Sequence, residues 1–396
     1  MIPYGRQAIS EEDIQAVCAA LRSDYLTTGP VVKQFEDRFA ETVGAKHAVA
    51  VCNATAALHL AMMVADVGPG DRVVTSPNTF VASANCAAFV GATPDFADID
   101  PISYCLCPNS LEENWKADTK AVVAVDYAGQ SAEMPAIAEI ARKNGAIIVE
   151  DGCHAVGGKF EHQGKIWSIG GHPWADMTTF SFHPVKTMTT GEGGMLVTNN
   201  DQYAARARRL RTHGIVRDAA SFVGLGDPAF DERGPWYYEM QDLGFNYRIT
   251  DFQCALGLSQ LARLDQFLRR RREIVAMYNS AFSTLQNIQV PRLRNPADCY
   301  ISSWHLYTVQ IDFAAVGKTR SQVMSELCEV GIGSQVLYIP VHLQPWYRRC
   351  LGYGANQFQV AESYYSKTLS LPLFPTASDE DIINIISAVK NITAIS

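Results

Sequence analysis

The sequence predicts an α/β protein, in which helices cover both faces of a mainly parallel sheet, followed by a smaller α+β domain. Short apolar segments alternate with helical patterns through the first two-thirds of the chain. This alternation is typical of a parallel sheet with helices on both faces. The apolar segments are rich in β-branched residues and lack strict polar–apolar alternation, as expected for strands buried on both sides. After Asp251 the pattern changes to longer helices with fewer strands.

Seven segments are predicted to be strands of the main sheet. They are residues 48–51, 72–75, 94–97, 121–125, 146–150, 178–182 and 195–198. Helical patterns lie between them, for example at residues 55–63 and 80–89. Gly91 and Gly145 stand where a helix should end before a strand, a position that favours a residue with positive φ.

A length of 396 residues predicts two domains, and we place them at residues 1–255 and 256–396. The second begins within a long helical pattern that continues to about residue 285 and ends with a helix at 379–392. The four arginines from Arg269 to Arg272 favour a solvated helix face over a phosphate site. Residues 216–241 form a long connection, which suits either a lid or a contact between subunits.

Composition excludes several classes of protein. With 47% hydrophobic and 19% charged residues, the chain can bury a large core. A net charge of −8 argues against nucleic acid or an anionic membrane as a general partner. No apolar segment is long enough for a membrane span, and the start lacks a signal-peptide core, so we expect a cytoplasmic protein. The ten cysteines show no CxxC spacing, so neither a zinc site nor any other metal site is expected.

Lys186 lies in the most informative segment, SFHPVKTMTTGEGG, which spans residues 181–194. It follows an apolar strand and precedes a Gly-rich turn, where burial should lower the pKa of its amine. A neutral amine is what a lysine needs to form a Schiff base with a carbonyl cofactor such as pyridoxal phosphate. The alternative is an ordinary surface lysine in a loop.

Asp151 ends a predicted strand and is followed by Gly-Cys-His-Ala. A carboxylate at the carboxyl end of a parallel strand points into the crevice where such sheets bind ligands. Pyridoxal phosphate needs a carboxylate beside its ring nitrogen, because the protonated ring is the electron sink. The alternative is a helix cap. Asp151 and Lys186 together favour a pyridoxal phosphate site.

Three motifs together resemble the sugar-nucleotide aminotransferases, which are fold-type I pyridoxal phosphate enzymes. They are EDGCHA at residues 150–155, the lysine segment at 181–194, and GFNYRITD at 244–251. The resemblance extends from Tyr4 to the last helix. It implies a seven-stranded sheet, pyridoxal phosphate as cofactor, glutamate as amino donor, and a homodimer with shared active sites.

Two further motifs, DYLTTG at residues 24–29 and VDYAG at 125–129, most resemble the branch of that family that serves the pseudaminic acid pathway. That branch implies a UDP-4-keto-6-deoxy-N-acetyl-hexosamine as substrate, aminated at C4. Another keto sugar nucleotide is the alternative within the family. A non-catalytic regulator that keeps the cofactor is a third reading, but such proteins usually carry a DNA-binding module, and no basic segment of that kind is seen. The family's dehydratases replace the lysine by histidine, so Lys186 counts against that branch.

The resemblance assigns catalysis to Lys186 and Asp151. The residues it assigns to cofactor binding are Ala54, Thr55, Phe80, Asp151, His154, Ser181, Lys186 and Asn246. In these roles Ala54 and Thr55 bind the phosphate at a helix start, where backbone amides favour anions. Phe80 stacks on the ring, although it also fits a core position, and Asn246 reaches the phosphate of the neighbouring subunit. The residues assigned to substrate binding are Tyr4, Asp24, Tyr25, Leu26, Thr27, Gln335, Val336, Leu337, Tyr338 and His342.

Overall fold

A computed structural model describes residues 1–230 and 232–394. The α-helices of these ranges are α1 (Glu11–Leu21), α2 (Pro30–Val43), α3 (Ala54–Val64), α4 (Ala82–Phe89), α5 (Pro108–Glu113), α6 (Met134–Lys143), α7 (Asp201–Arg211), α8 (Asp251–Ala262), α9 (Leu264–Phe282), α10 (Phe313–Val316), α11 (Arg320–Glu329), α12 (Pro345–Leu351), α13 (Gln359–Lys367) and α14 (Asp379–Ile392). The strands are β1 (His47–Val51), β2 (Arg72–Thr75), β3 (Thr93–Phe96), β4 (Thr119–Val125), β5 (Ile147–Asp151), β6 (Lys159–His162), β7 (Lys165–Ser168), β8 (Met177–Ser181), β9 (Gly194–Thr198), β10 (Ile215–Val216), β11 (Glu239–Met240), β12 (Ile288–Gln289), β13 (Tyr307–Ile311) and β14 (Thr368–Leu371).

The main sheet has seven strands in the order β1-β9-β8-β5-β4-β2-β3. Strand β9 is antiparallel to both of its neighbours, and the remaining pairs are parallel. All seven predicted strands lie in this sheet, so the prediction of a mainly parallel sheet is confirmed. The carboxyl ends of β4, β5 and β8 therefore meet at one edge, where open α/β sheets bind ligands.

Helices cover both faces of the sheet because neighbouring residues of each strand point to opposite sides. Ala121 and Val123 of β4 pack with α3, α4 and α7. Val122 and Ala124 of the same strand pack with α6 on the other face. The strands are therefore buried on both sides, which explains why their sequences lack alternation.

The chain between β5 and β8 forms a hairpin, β6–β7, which is not among the seven predicted strands. Its two turn residues, Gln163 and Gly164, both have positive φ, at 53° and 76°. This is the geometry of a two-residue turn that matches the twist of paired strands.

The smaller α+β part is built around the antiparallel sheet β12-β13-β14. Helices α9, α11 and α14 contribute apolar side chains to its core. The N-terminal arm joins this part, since Ile2 forms a parallel bridge with Ile332. The predicted domain boundary after residue 255 falls inside α8 and stays a prediction.

The predicted long helix is wrong at one point, because α8 and α9 are separate helices. Arg263 lies between them with φ −107° and ψ 7°, outside the helical range. Its guanidinium pairs with the buried Asp13 of α1. The break between α8 and α9 therefore coincides with the Arg263–Asp13 ion pair, and no glycine or proline at this point of the sequence indicates it.

The arginine run is also partly mispredicted, since Arg271 is only 1% exposed. Its Nη1 donates to the carbonyl oxygens of Trp304, His305 and Leu373 at 3.3, 3.2 and 2.9 Å. Burial lowers the pKa of this guanidinium to about 10. Arg271 thus joins α9 to two other segments of the small part, whereas Arg269 is exposed as expected for a solvated face.

Residues 216–241 contain the short pair β10–β11. Val223, Phe230 and Trp236 expose 81%, 69% and 63% of their surface. The lid and the subunit contact stay predictions for this segment. Among the helices of the described ranges, none combines the length and the apolar character needed to cross a lipid bilayer.

Candidate active site

A cavity of about 480 Å³ opens at the carboxyl ends of β4, β5 and β8, beside the first turns of α3 and α4. Ten of the predicted site residues line it. They are Tyr4, Ala54, Thr55, Phe80, Asp151, His154, Ser181, Lys186, Leu337 and Tyr338. The sheet edge thus brings together side chains from both ends of the chain.

Asp151 is the last residue of β5 and is 4% exposed. The Ser83 hydroxyl donates to its Oδ2 over 2.6 Å, and the Cys153 amide donates to its Oδ1 over 3.1 Å. The Thr79 hydroxyl lies 2.7 Å from Ser83 Oγ and extends the chain of hydrogen bonds. Sequence reasoning missed Ser83. Its only local signal is a polar side chain one helical turn after the predicted Phe80.

Lys186 lies in the turn that follows β8, where its amide donates to the His183 carbonyl over 2.9 Å. Its side chain is partly buried in the cavity wall. Burial lowers the pKa of the amine, although the nearby Cys153 and Asp151 act in the opposite direction. The site therefore favours a neutral amine more than water does, as a nucleophilic lysine requires.

The first turn of α3 forms one end of the cavity. Asn53 caps the helix by accepting from the Ala56 amide over 2.9 Å, which leaves the amides of Ala54 and Thr55 at the helix start. Such a start favours an anion because its N–H groups and the helix dipole both face outward. Gly194 of β9 lies against this turn, where a Cβ atom would be 2.5 Å from the Asn53 carbonyl carbon.

His154 is 5% exposed and contacts two partners. Its Nδ1 accepts from the Ala128 amide at 3.3 Å, so the proton of the neutral ring is on Nε2. Nε2 therefore donates to the Tyr338 hydroxyl over 3.0 Å. Burial and the charge of Lys186 hold the pKa of His154 well below its usual range.

One wall of the cavity comes from the small α+β part and the N-terminal arm. The Tyr4 carbonyl accepts from the Leu373 amide at 3.1 Å, and the Leu337 carbonyl accepts from the Tyr127 hydroxyl at 2.5 Å. Phe80 faces this wall, with its ring 6.0 Å from that of Tyr338. Phe80 is 55% exposed, so a ring entering the cavity would find an uncovered aromatic face.

The other predicted residues do not line the cavity within this chain. Residues 24–27 lie at the start of α8, where Thr27 pairs with Thr250. Asn246 is exposed and pairs with Thr212. Gln335 and Val336 precede the cavity wall without entering it.

His342 is fully buried against Phe96 and Phe358, and its Nε2 lies 3.1 Å from a Glu362 carboxylate oxygen. No substrate can reach it in this chain, because the core surrounds the ring.

The donor set fits pyridoxal phosphate. The cavity offers an amine with a lowered pKa, a carboxylate fixed by two hydrogen bonds, a helix start for the phosphate and an exposed aromatic ring. The residues that would hold the cofactor are Lys186, Asp151, Ala54, Thr55, Ser181, His154 and Phe80. When bound, pyridoxal phosphate supplies an electron sink for proton removal next to an amine nitrogen.

A profile of the DegT/DnrJ/EryC1/StrS aminotransferase family matches residues 7–390. The chain belongs to this family. Like other DegT/DnrJ/EryC1/StrS aminotransferases, it is a sugar aminotransferase that depends on pyridoxal phosphate. The fold-type I architecture and the transaminase class expected from the sequence are thereby confirmed.

Individual relatives cover the whole chain. The spore coat polysaccharide biosynthesis protein SpsC of Bacillus subtilis is 43% identical over 99% of this chain and 97% of its own. Helicobacter pylori PseC, an aminotransferase of pseudaminic acid biosynthesis, is 29% identical, covers 99% and 98% of the two chains, and superposes with a TM-score of 0.87. Spr1654 of Streptococcus pneumoniae, described as a putative sugar aminotransferase and solved in its PMP form, is 30% identical with a TM-score of 0.88 over 99% of both chains.

Proposed function

We propose that this aminotransferase converts a UDP-4-keto-6-deoxy-N-acetyl-hexosamine of the pseudaminic acid pathway to its 4-amino sugar, with glutamate as donor. The observation that carries this proposal is that Lys186 and Asp151 line one cavity. The wall of this cavity includes Tyr4 and Tyr338 and leaves room for a substrate. The structural likeness to PseC over nearly the full length supports the choice of substrate.

Lys186 is the base of the proposed reaction. Lys186 would hold the cofactor, and its Nζ amine lies in the cavity beside Cys153 and Asp151, where it could also exchange protons with the substrate. Its lowered pKa keeps a larger share of that amine neutral, so Nζ can accept the α-proton of glutamate and return a proton in the second half-reaction. Asp151 would stand against the cofactor's ring nitrogen, where a carboxylate favours protonation of that nitrogen.

The working unit that we propose is a homodimer in which each cavity is completed by the partner. Support comes from the division of the predicted residues into two groups. Asn246 and residues 24–27 do not line the cavity of their own chain, and their neighbours Arg248 and Thr28 line one surface depression of about 670 Å³. In a dimer with two-fold symmetry, such a surface can meet the partner's cavity.

A second candidate substrate is a different keto sugar nucleotide. The observation that favours it is the 43% identity to SpsC, which exceeds the 29% identity to PseC. SpsC belongs to spore coat polysaccharide biosynthesis, so a precursor sugar of a polysaccharide is the alternative. The cytoplasmic location stays a prediction.

The test is a substrate panel with the cofactor-loaded protein and glutamate, read by mass spectrometry of the amino sugar product. The proposal expects the UDP-4-keto-6-deoxy-N-acetyl-hexosamine to be aminated with the highest kcat/KM. Faster amination of another keto sugar nucleotide, with little product from this one, would replace it by the second candidate. Lys186→Ala serves as the control for product formed without the enzyme.

A further inference from the structure

Asp126 and Glu150 stand in two of the motifs that mark the family, yet neither lines the cavity. In the pairing of β4 with β5, Ala124 faces Glu150 and Val125 faces Asp151. The Asp126 amide continues this ladder by donating to the Asp151 carbonyl over 3.1 Å. Because side chains alternate along strands, Asp126 and Glu150 lie on the same side of the sheet and Asp151 on the other.

Glu150 is fully buried and accepts three hydrogen bonds. Its donors are the Gly170 amide at 3.1 Å, the Thr178 hydroxyl at 2.9 Å and His172 Nε2 at 2.8 Å. The Trp174 amide donates to His172 Nδ1, so the proton of that ring is on Nε2 and points at Glu150. Three donors around one carboxyl group favour its ionised form.

Asp126 is also fully buried. Its Oδ1 accepts from the Ala132 amide over 2.8 Å. Its Oδ2 receives no hydrogen bond from any N–H or O–H group of the residues that the structure describes. The Asp126 side chain is, however, within hydrogen-bonding contact of the Glu150 side chain. Two carboxylates cannot bond to each other, so one of the two groups must carry a proton.

We propose that Asp126 is a neutral carboxylic acid that donates its proton through Oδ2 to Glu150, and that this pair is a positioning device for Asp151. The assignment completes the hydrogen bonding of both groups. Glu150 then accepts four hydrogen bonds as a carboxylate, and the unpartnered Oδ2 of Asp126 becomes a donor.

The charges around the pair agree with this assignment. Burial and the Glu150 charge hold the pKa of Asp126 well above its usual range, and Asp151 acts in the same direction. Burial also raises the pKa of Glu150, but His172, Thr178 and the Gly170 amide outweigh it and bring that pKa below its usual value. The remaining titratable group facing Asp126 is the Cys105 thiol, whose pKa burial raises.

The consequence concerns the charge of Asp151. If Asp126 were ionised, three carboxylates would stand at the ends of two adjacent strands, and their repulsion would favour protonation of Asp151. A protonated Asp151 could not favour a protonated ring nitrogen. With Asp126 neutral, one of these three charges is removed from the strand ends. The effect on Asp151 rests on its role in the proposed function, whereas the protonation of Asp126 does not depend on that function.

The first test is the pH dependence of unfolding of the full-length, cofactor-free chain, compared with Asp126→Asn. Asparagine keeps the shape, and its amide can donate to Glu150 without a proton to lose. An acid whose folded pKa is raised gives stability that is full below its unfolded pKa of about 4 and is lost as pH rises toward the folded pKa. The variant should therefore gain Tm relative to wild type as pH increases from about 5 to about 8.

Asp13→Asn is the matched control, because Asp13 is equally buried but pairs with Arg263. Burial raises its pKa, yet hydrogen bonds from Ser259, Ser10 and Gln260 and the Arg263 charge bring that pKa below its usual value. Its stability contribution is therefore present above the unfolded pKa and lost at low pH. This variant should have a lower Tm than wild type, by an amount that stays constant from about pH 5 to about 8. A flat or falling difference for Asp126→Asn would overturn the protonation assignment.

The second test addresses the link to Asp151 in the cofactor-loaded enzyme. Asp126→Leu removes the donor to Glu150, so turnover should fall at least about tenfold, as for loss of a hydrogen bond to a charged group. Asp126→Asn should restore most of that loss, and the pH profile of the cofactor's absorbance should shift only in the leucine variant. Equal turnover and equal absorbance profiles in both variants would overturn the positioning role while leaving the unfolding result intact. If the leucine variant does not fold, a shifted absorbance profile in the asparagine variant would equally overturn that role.

Discussion

The hydroxyl of Ser83 donates to Oδ2 of Asp151 over 2.6 Å, so the first turn of α4 fixes the carboxylate at the end of β5. The Cys153 amide donates a hydrogen bond to the other carboxylate oxygen, and the Thr79 hydroxyl is hydrogen-bonded to the Ser83 hydroxyl. Asp151 therefore cannot rotate freely. The carboxylate also lines the cavity, so in the proposed function it is already oriented for the cofactor's ring nitrogen.

Asp151→Asn should reduce turnover by on the order of 10²-fold or more, because a fixed charge in a partly dry site is usually a large catalytic term. Cofactor content is measured alongside, since near-normal turnover with the cofactor bound would mean that another acid performs this role.

Ser83→Ala should lower turnover by about tenfold, since it removes one hydrogen bond to a charged group and leaves the carboxylate in place. Steady-state kinetics with the cofactor at saturation measures this effect. Ser366→Ala is the control, because Ser366 bonds only to its own helix far from the site. A loss as large as that of Asp151→Asn would contradict a purely orienting role for Ser83.

Lys186 should carry the cofactor covalently. Borohydride reduction of the loaded enzyme followed by peptide mapping should find the label on Lys186, and Lys186→Ala should lose turnover while keeping its fold by circular dichroism. The change removes a nucleophile and little core volume. A label on Lys120 or Lys159 would refute the assignment.

The proposed sharing of active sites between subunits predicts complementation between two inactive variants, Lys186→Ala and Asn246→Asp. The added charge of the aspartate should repel the cofactor phosphate of the partner. After subunit exchange, each mixed dimer has one cavity with both defects and one with neither, so about a quarter of wild-type activity should return. A mixture that stays inactive after verified exchange would place Asn246 in its own chain's site.

Gly194→Ala should weaken cofactor binding by roughly tenfold to a hundredfold, because the new methyl group would overlap the backbone of the phosphate-binding turn. Equilibrium titration with pyridoxal phosphate measures it. Gly354→Ala is the control, since a Cβ at Gly354 meets no atom within 4 Å. Unchanged affinity in Gly194→Ala would show that the turn can move without cost.

The strands, and the meeting of Asp151 and Lys186 in one cavity, were predictable because local sequence carries their signals. Strands buried on both faces need uninterrupted β-branched segments, and a carboxylate at a strand end and a lysine before a Gly-rich turn are readable positions. The resemblance to a family added the roles of Ala54, Thr55 and Phe80, which residue patterns alone left open.

The missed features depend on contacts between distant segments. Arg271 looks like its three neighbours in sequence, and only the carbonyls of Trp304, His305 and Leu373 make its burial acceptable. The break at Arg263 has no local signal and coincides with a tertiary ion pair. His342 was expected at the substrate, but the aromatic side chains around it belong to segments far apart in the chain.

The wall formed by Tyr4 with Leu337 and Tyr338 has a consequence for biosynthesis. Its two parts are separated by the whole main sheet in chain order, so the wall is complete only after residue 338 has left the ribosome. The nascent chain can fold its large sheet earlier, but the pocket is then still open to solvent on one side. We therefore expect the pocket to acquire its complete wall, and with it its full affinity for the cofactor, only after the small α+β part has been synthesised.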